Sequence, residues 1–335
     1  MQLLSAPEPF SPAFGEVLYS VSLGENEIGQ EISIFNSGIS EKIGLKKANY
    51  APVFTLDVTD YLRSQVRIEP LVRQQCGIVE MYQRVFNSCI AYQDWASIVQ
   101  HTAGIVAVGV NVPLHDSHAR SLAADEQDEL CWIAGEGVVH ARIVFYRQQG
   151  NPLVVKMGER TVERRQMLGL VLNGEHLCEL LQVFSCQWDD FFRFTVEVHD
   201  SHDLLFSVNY RMRGHSCGKV RMAWWNRYGG IDFYTFETLR VHRQTVEKTG
   251  MTNPDGFLPL GCIGRESMTV ATACRNREHD KWLGQMMGAP QVWVEQNAAF
   301  VPVRVTDNNL PVYDEEKTEI EMSFELAAAV PFQSF

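Results

Sequence analysis

Hydrophobic and polar residues alternate with a period of two along much of this chain, the pattern of strands that rest one face on a core. The clearest stretch lies in the middle, where Phe192, Phe194, Val196 and Val198 alternate with Arg193, Thr195, Glu197 and His199. After Asp200-Ser201 a second run places Leu204, Phe206, Val208 and Tyr210 on one face, so the two runs read as a β-hairpin. A second hairpin follows: 220–225 (Val-Arg-Met-Ala-Trp-Trp) leads through Asn226-Arg227-Tyr228-Gly229-Gly230 into 231–236 (Ile-Asp-Phe-Tyr-Thr-Phe). Paired glycines supply the positive φ that a tight turn needs. The returning strand carries Phe233 on one face and Tyr234 and Phe236 on the other, which places it centrally or beneath a neighbouring domain.

The C-terminal part is equally legible. Val292-Trp293-Val294 and 300–305 read as partners across Gln296-Asn297, and Pro302 implies an edge or a bulge there. Ile320, Met322, Phe324 and Leu326 alternate with Glu319, Glu321, Ser323 and Glu325. Glu278 to Met287 reads as a short helix ended by Gly288 and Pro290. Residues 70–95 stay open, because Ile78, Met81, Tyr82, Val85, Phe86, Cys89 and Ile90 fit a helical stripe while the composition also tolerates strands.

A length of 335 residues exceeds the roughly 250–300 at which one core stops growing. With candidate boundaries near Gly158 and in the Gly/Pro/Asn-rich stretch 250–256, the expected units are an N-terminal β region (1–158), a central β-sandwich (159–249) and a C-terminal β domain with one short helix (250–335). The expected fold is all-β, in two or three sandwich-like domains of immunoglobulin/fibronectin or jelly-roll type, with minor helix.

A formal net charge of −12 makes nucleic acid an unexpected partner. The N-terminus lacks a basic region before an apolar run, and no stretch reaches about 18 uninterrupted apolar residues, so neither a signal peptide nor membrane insertion is expected. The cysteines at 76, 89, 131, 178, 186, 217, 262 and 274 show no C-x-x-C spacing and read as reduced, largely buried thiols.

Candidate chemistry is thin. His-Asp-Ser-His occurs at 115–118 and at 199–202, a possible zinc or manganese ligand set. The second copy sits where a hairpin must turn, a place Asp and Ser favour for backbone reasons of their own. Asp189-Asp190 after Trp188 could be a glycosidase carboxylate pair, but adjacent residues on a strand point to opposite faces. Neither G-x-S-x-G nor a P-loop is present. No catalytic residue, metal or cofactor is assigned.

The segment 223–236, with Trp224, Asn226, Gly229, Gly230, Asp232, Tyr234, Thr235 and Phe236, resembles a W-x-N-x-x-G-G-x-D-x-Y-T-F hairpin of structural proteins of tailed bacteriophages and prophages, particularly of Bacteroidetes hosts. Residues 57–64 (Asp-Val-Thr-Asp-Tyr-Leu-Arg-Ser), the helix-to-strand sequence 282–293 and the strand 300–307 are similar to elements of the same proteins, with Gly288-Ala289 where serine is usual. The resemblance implies a non-catalytic tail or baseplate-type component, assembled in the bacterial cytoplasm into a virion with other virion proteins and with copies of itself. Trp224, Trp225, Asn226, Gly229, Gly230, Asp232, Phe233, Tyr234 and Phe236 are then a structural hairpin on which assembly depends. A rival reading is a carbohydrate-binding, lectin-like or receptor-binding module that meets surface glycans with exposed Trp188, Trp224 and Trp225. A metal-dependent hydrolase would need both His-Asp-Ser-His segments to meet in space.

Overall fold

The computed structural model describes residues 1–36, 39–48, 52–65, 71–116, 120–215, 218–254, 256–273, 276–306, 319–326 and 330–331. The fold is all-β and multi-domain, with strands in several sheets and three short α-helices among the described residues.

Two sheets form an N-terminal sandwich. One orders the strands Gln2–Ser5, Leu18–Ser22 and Val53–Asp57; the other orders Ser11–Pro12, Trp95–Thr102, Val85–Tyr92, Glu31–Asn36 and Lys42–Lys47. The open segment 70–95 thus resolves into strands Gly77–Glu80 and Val85–Tyr92 joined by a 3-10 turn, Tyr82–Arg84. Burial decided between the two periods: Phe86, Ser88 and Ile90 are buried at a spacing of two, which a helix would have dispersed.

A central sandwich packs a sheet of Arg120–Ala123, Leu204–Arg213, Arg193–His199, Gly137–Tyr146 and Leu153–Val162 against Gln127–Ala134, Gln166–Asn173 and Gly77–Glu80. The expected hairpin pairs as read, with Val196 opposite Val208. Leu130, Trp132, Ile143, Phe145, Phe194 and Val196 fill the space between the sheets, and helix Gly174–Val183 adds Leu177 and Leu181. Gly158 lies inside a strand, where the register against Gly137–Tyr146 slips by a residue and φ reaches +127°. It marks a bulge, a position that favours glycine.

The fifth sheet runs Ile231–Phe236, Val220–Trp225, Val292–Gln296, Ala299–Val305, Glu319–Leu326, Gly256–Ala273, Thr238–Asn253. Helix Arg277–Gly288, capped by the Asn276 side chain, covers one face through Trp282, Leu283 and Met286. Pro302 sits opposite Trp293, just past the Val303–Val305 pairing with the next strand, so its missing N–H breaks no described ladder bond. The stretch 250–256 falls at the tip of a long ribbon, where Asn253 pairs with Gly256.

The four apolar cores among the described residues are not sequential blocks. Along Val220–Trp225, Met222 and Trp224 join the C-terminal core, while Ala223 and Trp225 join the N-terminal one with Ile231, Phe233, Trp293 and Phe300. The hairpin is therefore shared between two cores.

Candidate functional site

Every residue of both hairpin strands is buried, although Ile231–Phe236 ends the sheet's strand order. Its outer edge is covered by residues 113–116 and 120–131, and the contact is ionic.

Asp232 is the centre. Its Oδ1 accepts from the Arg120 guanidinium and from His115 Nδ1 at 2.9 Å, and its Oδ2 accepts the Trp282 indole N–H at 2.7 Å. The Cys131 backbone N–H donates to His115 Nε2 at 2.6 Å, so that nitrogen bears no proton and the ring is neutral, with its single proton on Nδ1. Burial, with the Arg120 charge beside it, holds His115 below the usual histidine range. Burial alone would raise the Asp232 carboxyl, yet Arg120 and the hydrogen bonds from His115 and Trp282 hold it well below the carboxylate range.

Arg120 also donates to Asp128 Oδ1 at 2.8 Å. Here burial wins, pushing Asp128 up to about 6 against the pull of Arg120 and Arg221. Arg221, on the other hairpin strand, donates to Glu126 at 3.1 Å and to Thr235 Oγ1 at 2.9 Å, and its remaining donors meet the Gln127 carbonyl. Glu126 accepts further from Arg213 at 2.7 Å and from Thr235 at 2.7 Å. The result is a continuous seam of alternating charge that ties the central sandwich to the hairpin.

The hairpin turn is tied to the same segment. Asn226 Nδ2 donates to the Leu114 carbonyl at 2.9 Å, while Oδ1 accepts the Tyr228 and Gly230 N–H groups at 2.9 and 3.1 Å. Asp116 accepts from Arg227 at 2.7 Å and from the Tyr228 hydroxyl at 2.8 Å, and also from Gln285 of the last helix. Gly229 has the expected positive φ, +90°, whereas Gly230 does not. Gly230 is required for a different reason: a Cβ there would stand 2.6 Å from the Leu114 carbonyl oxygen. The paired-glycine expectation is corrected on that point.

Aromatic packing completes both faces. Trp225 meets Phe86 and Trp293 edge-on at 6.2 Å each, and Phe233 meets Phe300 at 5.7 Å. On the other face Trp224 and Tyr234 contact Trp282 at 5.1 and 5.7 Å, and Tyr234 meets Phe236 at 5.1 Å.

The structure thus gathers the nine hairpin residues in one buried unit. Sequence reading missed its partners Arg120, Glu126, Asp128, Arg213, Arg221 and Trp282. Two signals were present: Arg221 inside an apolar strand, and the charged run 125–129 opening an apolar one.

The first His-Asp-Ser-His contributes His115 and Asp116 to this seam, and His118 lies outside the described residues. The second forms a turn in which Asp200 Oδ1 accepts the His202 and Asp203 N–H groups at 2.8 and 2.7 Å, while His199 stacks on His140 at 5.1 Å. Among the described residues no group of three or more metal-ligating side chains is assembled. Asp189 and Asp190 lie on a 3-10 turn, Trp188–Asp190, rather than on a strand, and Asp190 caps the Gln187 N–H at 2.7 Å.

Trp188, Trp224 and Trp225 are 7%, 0% and 4% exposed, so a lectin reading that uses these rings as sugar platforms fails. The described thiols Cys76, Cys89, Cys131, Cys178 and Cys186 are free. Among the described residues no helix is long and apolar enough to cross a membrane.

No family model matches the chain. No curated protein matches it either. Among solved structures it is similar to a chain of the tail of an empty gene transfer agent particle, at 19% identity over 34% of this chain and 96% of that one, TM-score 0.24. A chain of the native gene transfer agent virion matches at 19% identity over 30% and 89%, TM-score 0.22. Trypsin-activated alpha-2-macroglobulin from Escherichia coli matches at 9% identity over 82% of this chain and 19% of that one, TM-score 0.22. The narrower resemblance, to phages of Bacteroidetes hosts, gains no support from them.

Proposed function

We propose that this chain is a non-catalytic structural component of a virion or tail-like particle, assembled in a bacterial host cytoplasm through protein–protein contacts with other particle proteins and with copies of itself. The motif resemblance supplies the setting. The observation that carries the assembly reading is the ribbon Thr238–Asn253/Gly256–Ala273, whose outer strand is a sixteen-residue sheet edge.

Beyond Ser267, where the Glu319–Leu326 strand stops pairing, the backbone pairing of the two ribbon strands among the described residues is with each other and, over Ile263–Gly264, with Val330–Pro331. A two-stranded ribbon alone in water is marginally stable, and a long unpaired edge is a template for another strand. Leu239, Val246 and Met251 are 39%, 40% and 55% exposed along it. Arg240 and His242, which could blunt the edge by charge, are engaged by Glu319 and Glu266. A partner that pairs with the edge and covers these side chains would complete the ribbon. The buried seam suits the same role: its charged groups lie out of reach of a substrate and fix the hairpin instead.

Replacing residues 244–266 by a two-residue Asn-Gly turn, which joins the paired Arg243 and Ser267, tests the reading. Sedimentation velocity and negative-stain microscopy are expected to show concentration-dependent oligomers for the full chain and monomers of unchanged melting temperature for the shortened one. Equal assembly of the two chains would sink it.

A further inference from the structure

Away from the hairpin, an open cleft of about 740 Å³ is cut into the central sandwich, within the roughly 300–1,000 Å³ usual for small-molecule sites. Arg147 and Gln148 follow the strand Gly137–Tyr146, Asp189 and Asp190 sit on the 3-10 turn, Phe192 precedes the strand Arg193–His199, and Arg211 closes the cleft from the next strand.

The charges here are arranged at a cost. Arg193 stands directly opposite Arg211 in the antiparallel register, and like charges so placed repel. Two of the guanidiniums have aromatic or sulfur neighbours: Arg147 lies 4.9 Å over the Phe191 ring and donates to Cys186 Sγ at 2.7 Å, and Arg193 lies 4.5 Å over Tyr146 and 5.5 Å from the Phe192 ring, on one side of it. The Arg147 Nε is buried without a hydrogen-bond partner. Asp189 is exposed, and Phe192 leaves 44% of its surface open although its ring is apolar.

The lining chemistry selects a ligand class. A free anion would meet Asp189 and Asp190, a cation would meet Arg147 and Arg211, and a purely apolar ligand would strip water from all four without replacing its hydrogen bonds. Sugar hydroxyls both donate and accept, so vicinal pairs fit guanidinium, carboxylate and amide groups alike, and the C–H face of a pyranose ring fits an exposed aromatic ring. We propose that this cleft binds a neutral saccharide of one or two sugar units, a surface contact distinct from the assembly role and from the buried tryptophans.

The test is binding of the full-length chain to an array of immobilised neutral oligosaccharides (hexose, N-acetylhexosamine and deoxyhexose types) alongside acidic ones bearing uronate or phosphate. Asp189→Asn, Arg211→Ala and Phe192→Ala serve as variants; all three positions are exposed, and unchanged melting curves check their folding. The expected result is binding to at least one neutral glycan, about tenfold or more weaker in each variant and unchanged between about 0.1 and 0.5 M salt. Three results would overturn the proposal: no neutral glycan bound, binding confined to acidic glycans and lost with salt, or neutral binding that all three variants retain.

Discussion

Two hairpins follow one another in this chain and share one sheet, yet they are opposites. The first, Val220–Trp225 with Ile231–Phe236, is buried on both faces and along its outer edge. The second, the ribbon from Thr238 to Ala273, begins two residues later and runs out until its strands have little but each other. Both have the same backbone pairing, so hydrogen bonding cannot explain the difference. What differs is what the side chains meet. In the first hairpin alternate residues enter two different cores, and the one carboxylate among them is answered by Arg120, His115 and Trp282. In the ribbon, Val246 and Met251 leave 40% and 55% of their surface open. The first hairpin holds the chain to itself, and the second leaves an edge for something else.

The sharpest way to break this contrast is to remove one charge from each hairpin. Asp232→Ala takes from the buried Arg120 one of its two carboxylate partners and leaves His115 and the Trp282 indole without their acceptor, and is expected to cost about 3–5 kcal/mol in urea denaturation, because breaking a buried charged network outweighs anything regained. Arg240→Ala in the ribbon removes an ion pair whose side chains are 44% and 46% exposed. Its expected cost is below about 1 kcal/mol. Equal costs would mean that the seam is no more than a surface ion pair in effect. Phe233→Ala, on the opposite face from Asp232, is expected to cost about 3–5 kcal/mol by opening a cavity against Phe300, whereas His199→Ala and His202→Ala at the central hairpin's turn change stability little.

Acid offers a second comparison, since the buried region holds neutral histidines. His101 is fully buried between Ser11 and Ser88, its ring nitrogens 2.9 and 2.7 Å from their hydroxyls, and burial lowers it to about 4. A folded pKa below the unfolded one means that the unfolded chain takes up the proton first. Stability is therefore lost as pH falls from about 6.5 to about 4, by on the order of 3 kcal/mol for this residue. Asp128 acts oppositely in nearly the same window: raised to about 6, it takes up its proton first in the folded state and gains stability on acidification. The informative measurement is thus a difference. His101→Gln, which keeps a donor and an acceptor, should lose less stability than the parent chain between pH 7 and pH 4 by that amount. Parallel stability-versus-pH curves would refute a buried neutral His101.

How far the sequence carried these distinctions depends on whether the cause was local. Alternation of period two located both hairpins of the middle region, because a strand with one face on a core imprints that pattern directly. The aromatic residues on both faces of Ile231–Phe236 also gave its burial correctly. Partner identity was not legible: Asp232 needs Arg120 and His115 from over a hundred residues away, and no local pattern encodes that pairing. Glycine and proline marked real backbone irregularities, but not which kind each was. Gly158 is a bulge inside a strand, and 250–256 is the tip of the ribbon, since a chain reversal within one sheet uses the same residues as a loop between units. In residues 70–95 the helical and strand periods coincided over a few apolar positions, and only tertiary burial separated them.

The smallest expected change in stability tests the comparison from its other side. Gly230→Ala forces a Cβ toward the Leu114 carbonyl oxygen in the buried hairpin and should cost about 1–3 kcal/mol, the range of overpacking a tight site. Val246→Asp in the ribbon adds a charge where the side chain is already 40% exposed and removes little packing. Its expected effect on the melting transition is within about 0.5 kcal/mol. The same substitution places a carboxylate on the edge that the proposed partner strand must cover, and desolvating an unpaired charge there opposes docking strongly. Val246→Asp should therefore leave the monomer intact and abolish concentration-dependent assembly in sedimentation velocity, while Gly230→Ala weakens the fold and spares assembly at temperatures below its melting point. A Val246→Asp chain that assembles normally would remove the ribbon from the interface and leave the contrast between the two hairpins one of burial alone.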